Sequence, residues 1–129
     1  MSRHRFILLA GDEENVRRQD YFVCIQNIAA NPAGESIVWE YYRENWTNLT
    51  ERFGLNDRSL GRLISSITKN FASSVKLEEI EQFYVKYPVA GAGTSARKQA
   101  IETVKYNIIW LEKNKAQLDD WLQSENYKY

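Results

Sequence analysis

A catalytic zinc centre takes three protein ligands, drawn mostly from His with Glu or Cys. This sequence offers one histidine, His4, and one cysteine, Cys24, and no His-Glu-x-x-His pair. A serine or cysteine nucleophile needs a His-type base within hydrogen-bond reach. His4 reads instead as a solvated side chain in a frayed terminal segment. Cys24, between Val23 and Ile25, reads as a core thiol. Carboxylate pairs serve as general acid and base in many hydrolases. Here Asp12-Glu13-Glu14, Glu78-Glu79-Glu81 and Asp119-Asp120 fall at helix starts or on polar faces. At a helix start a carboxylate meets the positive end of the backbone dipole, so capping and solubility account for them. Gly91-Ala92-Gly93 precedes a helix, as a phosphate cradle does. It lacks the preceding strand and the Lys-Ser/Thr of a P-loop, which leaves a tight turn between helices.

Basic side chains carry the remaining candidate chemistry. Arg58 and Arg62 stand four apart on one predicted helix face, and Lys69 extends that side by two more turns. They suit an anion or a peptide carboxylate, or else a plain solvated face. Arg97 and Lys98 occupy the first turn of the last predicted helix, where each opposes the macrodipole by roughly 0.3–1 kcal/mol. Pairing with Glu78, Glu79 or Glu81 would offset that cost, and an anion contact is the alternative. Asn45-Trp46-Thr47 and Asn48-Leu49-Thr50 both match the N-glycosylation sequon, which makes Asn45 and Asn48 candidates. Among the tryptophans, Trp46 and Trp110 fit apolar stripes and are expected in the core. Trp39 and Trp121 sit off them and suit an interface with another domain.

The elements that position these groups are helical. Only two prolines and six glycines occur, and nearly all of them punctuate periodic apolar segments. Tyr21, Ile25 and Ile28 mark a helix over Val16–Ala30, stopped at Asn31-Pro32. Val38, Tyr42, Trp46, Leu49 and Phe53 mark another over Glu35–Phe53, with Gly54 as its stop. Asn56 or Asp57 can cap the next, lined by Leu60, Ile64, Ile67 and Phe71. Leu77, Ile80, Phe83, Tyr84 and Tyr87 define a short fourth helix that Pro88 closes. Ile101, Val104, Ile108, Leu111, Leu118 and Leu122 run along a long last helix, near heptad spacing. The expected order is a helical stub over the first ten residues, then five helices with short connections. The fold class is all-α. Antiparallel helix pairs of about 30–40 residues resemble an α-solenoid of the HEAT or armadillo kind, although no internal sequence repeat stands out.

Composition narrows the function. Lys plus Arg and Asp plus Glu are each 17 in 129 residues, so the basic excess that drives nucleic-acid binding is missing. No run of apolar residues is long enough to span a bilayer. A single cysteine excludes an internal disulfide framework. The length suits one domain, residues 1–129.

Several segments together carry a resemblance: Val16-Arg-Arg-Gln-Asp20, Ala30-Asn-Pro-Ala-Gly34, Trp39-Glu-Tyr-Tyr-Arg-Glu-Asn-Trp46, Glu51-Arg-Phe-Gly54, Leu60-Gly-Arg-Leu-Ile64, Leu77-Glu-Glu-Ile-Glu-Gln-Phe-Tyr-Val-Lys-Tyr-Pro88, and the run from Tyr87 to Asn114. In this order they resemble the C-terminal helical domain of the gluzincin-type zinc aminopeptidases, whose members include the alanyl, glutamyl, puromycin-sensitive and endoplasmic-reticulum enzymes. The likeness runs from about Arg5 to Leu122. It implies stacked helix pairs curved into a bowl over a thermolysin-like catalytic domain, enclosing a chamber that admits short peptides. The family's zinc ligands, catalytic glutamate and Gly-x-Met-x-Glu-Asn motif have no counterpart here.

The resemblance therefore implies a non-catalytic C-terminal segment of a zinc aminopeptidase, with no cofactor of its own and zinc in the parent's catalytic domain. Its expected partners are that catalytic domain and peptide substrates, with neither nucleic acid nor membrane contacted by this segment. Arg58 and Arg62 are the best local candidates for meeting a peptide's side chain or C-terminal carboxylate. The alternative is a stand-alone helical module, descended from the same domain, that holds a protein partner. An open reading frame upstream of Met1 would separate the two. The sequons and the likeness to the alanyl and glutamyl enzymes favour an ectoenzyme; the puromycin-sensitive branch is cytosolic.

Overall fold

In the computed structural model, Ile7, Ala10, Asp12 and residues 16–126 are described, with side chains through Ser124. Their order is α1 (Arg18–Ala30), α2 (Pro32–Glu44), α3 (Trp46–Phe53), α4 (Arg58–Thr68), α5 (Ser74–Lys86), a 3-10 turn at Gly91–Gly93, and α6 (Thr94–Asn126). No strand occurs among the described residues, and the fold is all-helical. The expected stub lies mostly outside the described residues, although Ile7 and Ala10 are helical and buried.

Helix α1 begins at Arg18, not Val16, and α4 ends at Thr68, short of Phe71; two further boundaries differ from the sequence reading, each through an asparagine. Asn31 ends α1 and also caps α2, its Oδ1 accepting the Ala33 N–H at 3.0 Å. Pro32 then takes the first helical position, where its missing N–H costs nothing. The expected stop is thus a one-residue elbow, and α2 begins three residues earlier than Glu35. The continuous helix expected over Glu35–Phe53 breaks at Asn45, whose φ of −106° and ψ of 11° leave the helical region. Its Nδ2 donates to the Tyr41 carbonyl at 3.0 Å, the same oxygen that accepts the Asn45 backbone N–H at 2.9 Å. Such local bonding competes with the helical ladder.

The remaining caps follow their sequence signals. Asp57 caps α4 by accepting the Leu60 N–H at 2.9 Å, and Ser73 caps α5 by accepting the Lys76 N–H at 3.2 Å. Helix α5 ends just ahead of Pro88. At Gly91 the chain reverses with φ +54°, and a Cβ there would lie 2.5 Å from the Leu55 carbonyl oxygen. Helix α4 is central: it packs on α1, α2, α3, α6 and the 3-10 turn. At Gly61 its backbone meets the turn directly, because an added Cβ would stand 2.8 Å from the Gly93 nitrogen.

The core is unusually aromatic. Phe83 of α5 lies 6.0 Å from Trp39, 5.4 Å from Tyr42 and 5.6 Å from Trp46, ring centre to ring centre. A second group gathers Tyr21, Phe22 and Phe53, with Phe22 and Phe53 4.8 Å apart. Offset and edge-to-face geometry at these separations adds to simple area burial.

Two tryptophans depart from expectation. Trp39 is fully buried, because α5 covers a second side of α2 and makes its buried face wider than one stripe. Trp110 was expected inside but is 54% exposed, because α6 outruns the body it packs on. The last polar anchor on α6 is Asn107, whose Nδ2 donates to the carbonyls of Lys69 at 2.9 Å and Phe71 at 3.0 Å. Beyond it Ile109, Trp110, Leu111, Leu118, Trp121 and Leu122 all stand in solvent.

Candidate functional site

The basic face of α4 is built from its N-terminal cap onward. The Asp57 carboxylate does two jobs there: Oδ1 caps the helix, and Oδ2 pairs with the Arg18 guanidinium from α1. Leu60, Leu63, Ile64 and Ile67 fix the inner side of α4 in the core. The Thr68 hydroxyl donates to the Ile64 carbonyl at 2.7 Å, and Ser65 donates to the Ala96 carbonyl of α6 at 3.2 Å. At 100° per residue, Arg58, Arg62 and Lys69 then share an arc of about 40° opposite that buried side. All three are exposed, and among the described residues none has a carboxylate partner. Helix α4 thus presents three unpaired cations from a rigid mount. Such a face can meet a carboxylate or another anion; it holds no group for bond-breaking.

Arg97 and Lys98 are neighbours in sequence but separate in space. Lys98 points to solvent, while Arg97 is only 6% exposed. The Arg97 guanidinium lies over the rings of Tyr84 at 4.9 Å, Phe83 at 5.3 Å and Trp46 at 5.5 Å. Its Nη1 donates to the Tyr87 carbonyl, and its Nη2 is buried without a partner. The Tyr84 hydroxyl donates to the Arg97 carbonyl at 2.8 Å. Burial lowers the Arg97 pKa, with Tyr42 and Tyr84 acting in the opposite direction. Burial likewise pushes the Tyr42 and Tyr84 phenols up, against the pull of the nearby cation. Aromatic faces therefore offset the dipole cost that the sequence reading gave to a glutamate.

The pairing expected with α5 is not formed. Glu79 is engaged by the Trp39 indole N–H at 3.2 Å, by Arg43 at 3.4 Å and by Lys76 at 3.5 Å. Glu78 accepts from Gln82 at 3.4 Å, and Glu81 is exposed. The Glu79 network lines an open depression of about 420 Å³ between α2 and α5, with Glu40, Glu44 and Lys86 at its rim. The sequence reading missed this cluster. Its one visible signal was the spacing of Lys76 and Glu79, three residues apart on one helix.

The other candidates fall in varied settings. Asn45 is half-buried at the α2–α3 elbow, and Asn48 is exposed on α3. Cys24 is half-buried against the core, and burial raises its thiol pKa. His4 lies outside the described residues. Among those described, no three His, Cys, Asp or Glu side chains come together to hold a metal ion. None of the described helices is long and apolar enough to cross a membrane.

Comparison with known proteins places this architecture. The ERAP1-like C-terminal domain family model matches residues 4–106. Aminopeptidase A of Gloydius brevicauda is 40% identical over 121 residues, which is 94% of this chain and 13% of that protein. Human glutamyl aminopeptidase is 38% identical over 117 residues, covering 91% of this chain and 12% of the relative. Aminopeptidase N of Canis lupus familiaris is 31% identical over 125 residues, 95% of this chain and 13% of its own length. The chain thus spans about an eighth of the curated relatives it matches.

Proposed function

We propose, from the premise that this chain belongs to the ERAP1-like C-terminal domain family, that it is the non-catalytic helical end of a zinc-dependent aminopeptidase. In that setting it walls a peptide-binding chamber and supports the catalytic domain, and its helix pairs continue a stacked, solenoid-like bowl. Removal of N-terminal residues from peptides is the activity of the parent. On this reading the zinc belongs to the parent's catalytic domain, and this chain takes no part in bond cleavage.

One observation carries the reading. From Ile109 to Leu122, α6 presents six large apolar side chains, two of them tryptophans, to solvent. Five of them, Trp110, Leu111, Leu118, Trp121 and Leu122, share one side of the helix, and an exposed apolar side of that kind marks a surface made to be covered. The remainder of an aminopeptidase, some seven-eighths of the relatives' length, is the natural cover.

Arg58, Arg62 and Lys69 are proposed to face the chamber. A peptide's C-terminal carboxylate or acidic side chain would be drawn to them, whereas the zinc, not these cations, would act on the scissile bond. Arg58→Ala and Arg62→Ala in the parent should raise KM for peptides several-fold and leave KM for single aminoacyl substrates nearly unchanged. Equal effects on both substrate types would make these arginines structural.

A further inference from the structure

The two sequons, Asn45-Trp46-Thr47 and Asn48-Leu49-Thr50, overlap the α2–α3 elbow, and the fold treats them differently. At Asn45 the amide nitrogen is already bonded to the Tyr41 carbonyl at 3.0 Å, and the side chain is half-buried. The next residue, Trp46, is a core side chain packed on Tyr42 and Phe83. A glycan at Asn45 would have to leave from a half-buried amide beside that joint. Asn48 is one helical turn further along and points to solvent between exposed Thr47 and Glu51. Beside it lies an open depression of about 670 Å³, lined also by Arg17, Arg18, Glu51 and Arg52, with room for a first sugar ring. Side chains three apart on a helix are only about 5–6 Å from each other at Cβ, too close for two branched oligosaccharides.

We infer that the folded protein carries a single N-linked oligosaccharide, at Asn48, and none at Asn45. The co-reactant is an oligosaccharide on a lipid diphosphate. The Asn48 amide nitrogen bonds its anomeric carbon, and the bond from that carbon to the diphosphate oxygen breaks. The lipid diphosphate leaves with the electron pair, and the amide gives up one proton. Transfer takes place on the extended chain, where either asparagine can be reached, and the fold then selects which modified chain matures. A chain modified at Asn48 then folds unhindered, whereas one modified at Asn45 must open the elbow. The inference is independent of the aminopeptidase reading, since it needs only passage through a glycosylating compartment.

The full polypeptide containing this chain is expressed through the secretory route of a eukaryotic cell. It is then treated with a peptide N-glycosidase in heavy-oxygen water, which marks each formerly glycosylated asparagine as labelled aspartate. Residues Arg43 and Arg52 bracket one tryptic peptide holding both sites, and fragment masses separate them. The expected result is label on Asn48 and none on Asn45. Asn48→Gln and Thr50→Ala should abolish the label, whereas Asn45→Gln and Thr50→Ser should keep it. Thr50→Ala removes only a 2.9 Å bond to the Thr47 carbonyl, so loss of label there reads modification rather than folding. Label on Asn45, on both asparagines or on neither would overturn the inference.

Discussion

Arg97 puts a positive charge among three aromatic rings and a carbonyl, where a carboxylate partner was the simpler expectation. A planar guanidinium lies over Tyr84 and donates to Tyr87 at once, whereas a compact, strongly hydrated ammonium costs more to bury there. Arg97→Lys should therefore lower unfolding free energy by about 1–2 kcal/mol, read from urea midpoints. Arg97→Ala should cost more, because the stem's packing goes with the charge. Cys24 gives a second expectation at this scale. Its raised pKa means less thiolate at any pH below that value, so alkylation by iodoacetamide at pH 8 should be slower than for a free thiol and should speed up as pH rises through the raised range. At the level of single residues the sequence was legible for caps and poorly legible for burial. Asp57 was named as a candidate cap, yet its second bond, to Arg18, needed the spatial meeting of α1 and α4. Trp39 and Trp110 were exchanged between core and surface, because periodicity reports one face of a helix and says nothing about how many neighbours cover it or where they end.

Among the elements, apolar period and helix breakers located every described helix within a few residues except α3, which was joined to α2. The break at Asn45 escaped because no glycine or proline marks it; a side chain competing for the Tyr41 carbonyl does. The α4 face was legible, since Arg58, Arg62 and Lys69 share a side by helical geometry alone. What fixes that face in place was not. Helix α4 is held through Asp57 at one end and by backbone contact of Gly61 with Gly93. Asp57→Ala should cost about 1–2 kcal/mol, the usual value of a lost cap, with the Arg18 link lost as well. Gly61→Ala should cost about 1–3 kcal/mol, since a methyl group there meets backbone that cannot rotate away. Thermal melts of the two variants check both figures. A Gly61→Ala protein as stable as the unaltered chain would mean that α4 and the turn can separate without penalty.

At the scale of the whole molecule, the aromatic core and the overhang of α6 say different things. The core closes around Phe83, whereas the second half of α6 lacks neighbours among the described residues. The isolated chain should accordingly bind a hydrophobic dye, and Trp110→Glu together with Trp121→Glu should reduce that binding without lowering the melting temperature by more than a few degrees. The resemblance in sequence pointed to the C-terminal domain of the aminopeptidases, and the match over residues 4–106 shows that family. The central claim is that this chain shapes a peptide chamber and leaves bond cleavage to another domain. Its most direct test is an assay of the purified chain, with zinc added, on aminoacyl-chromogenic substrates including glutamyl and alanyl derivatives. The account predicts no release above buffer at any chain concentration. Steady release proportional to the amount of chain, and abolished by a chelator, would contradict it.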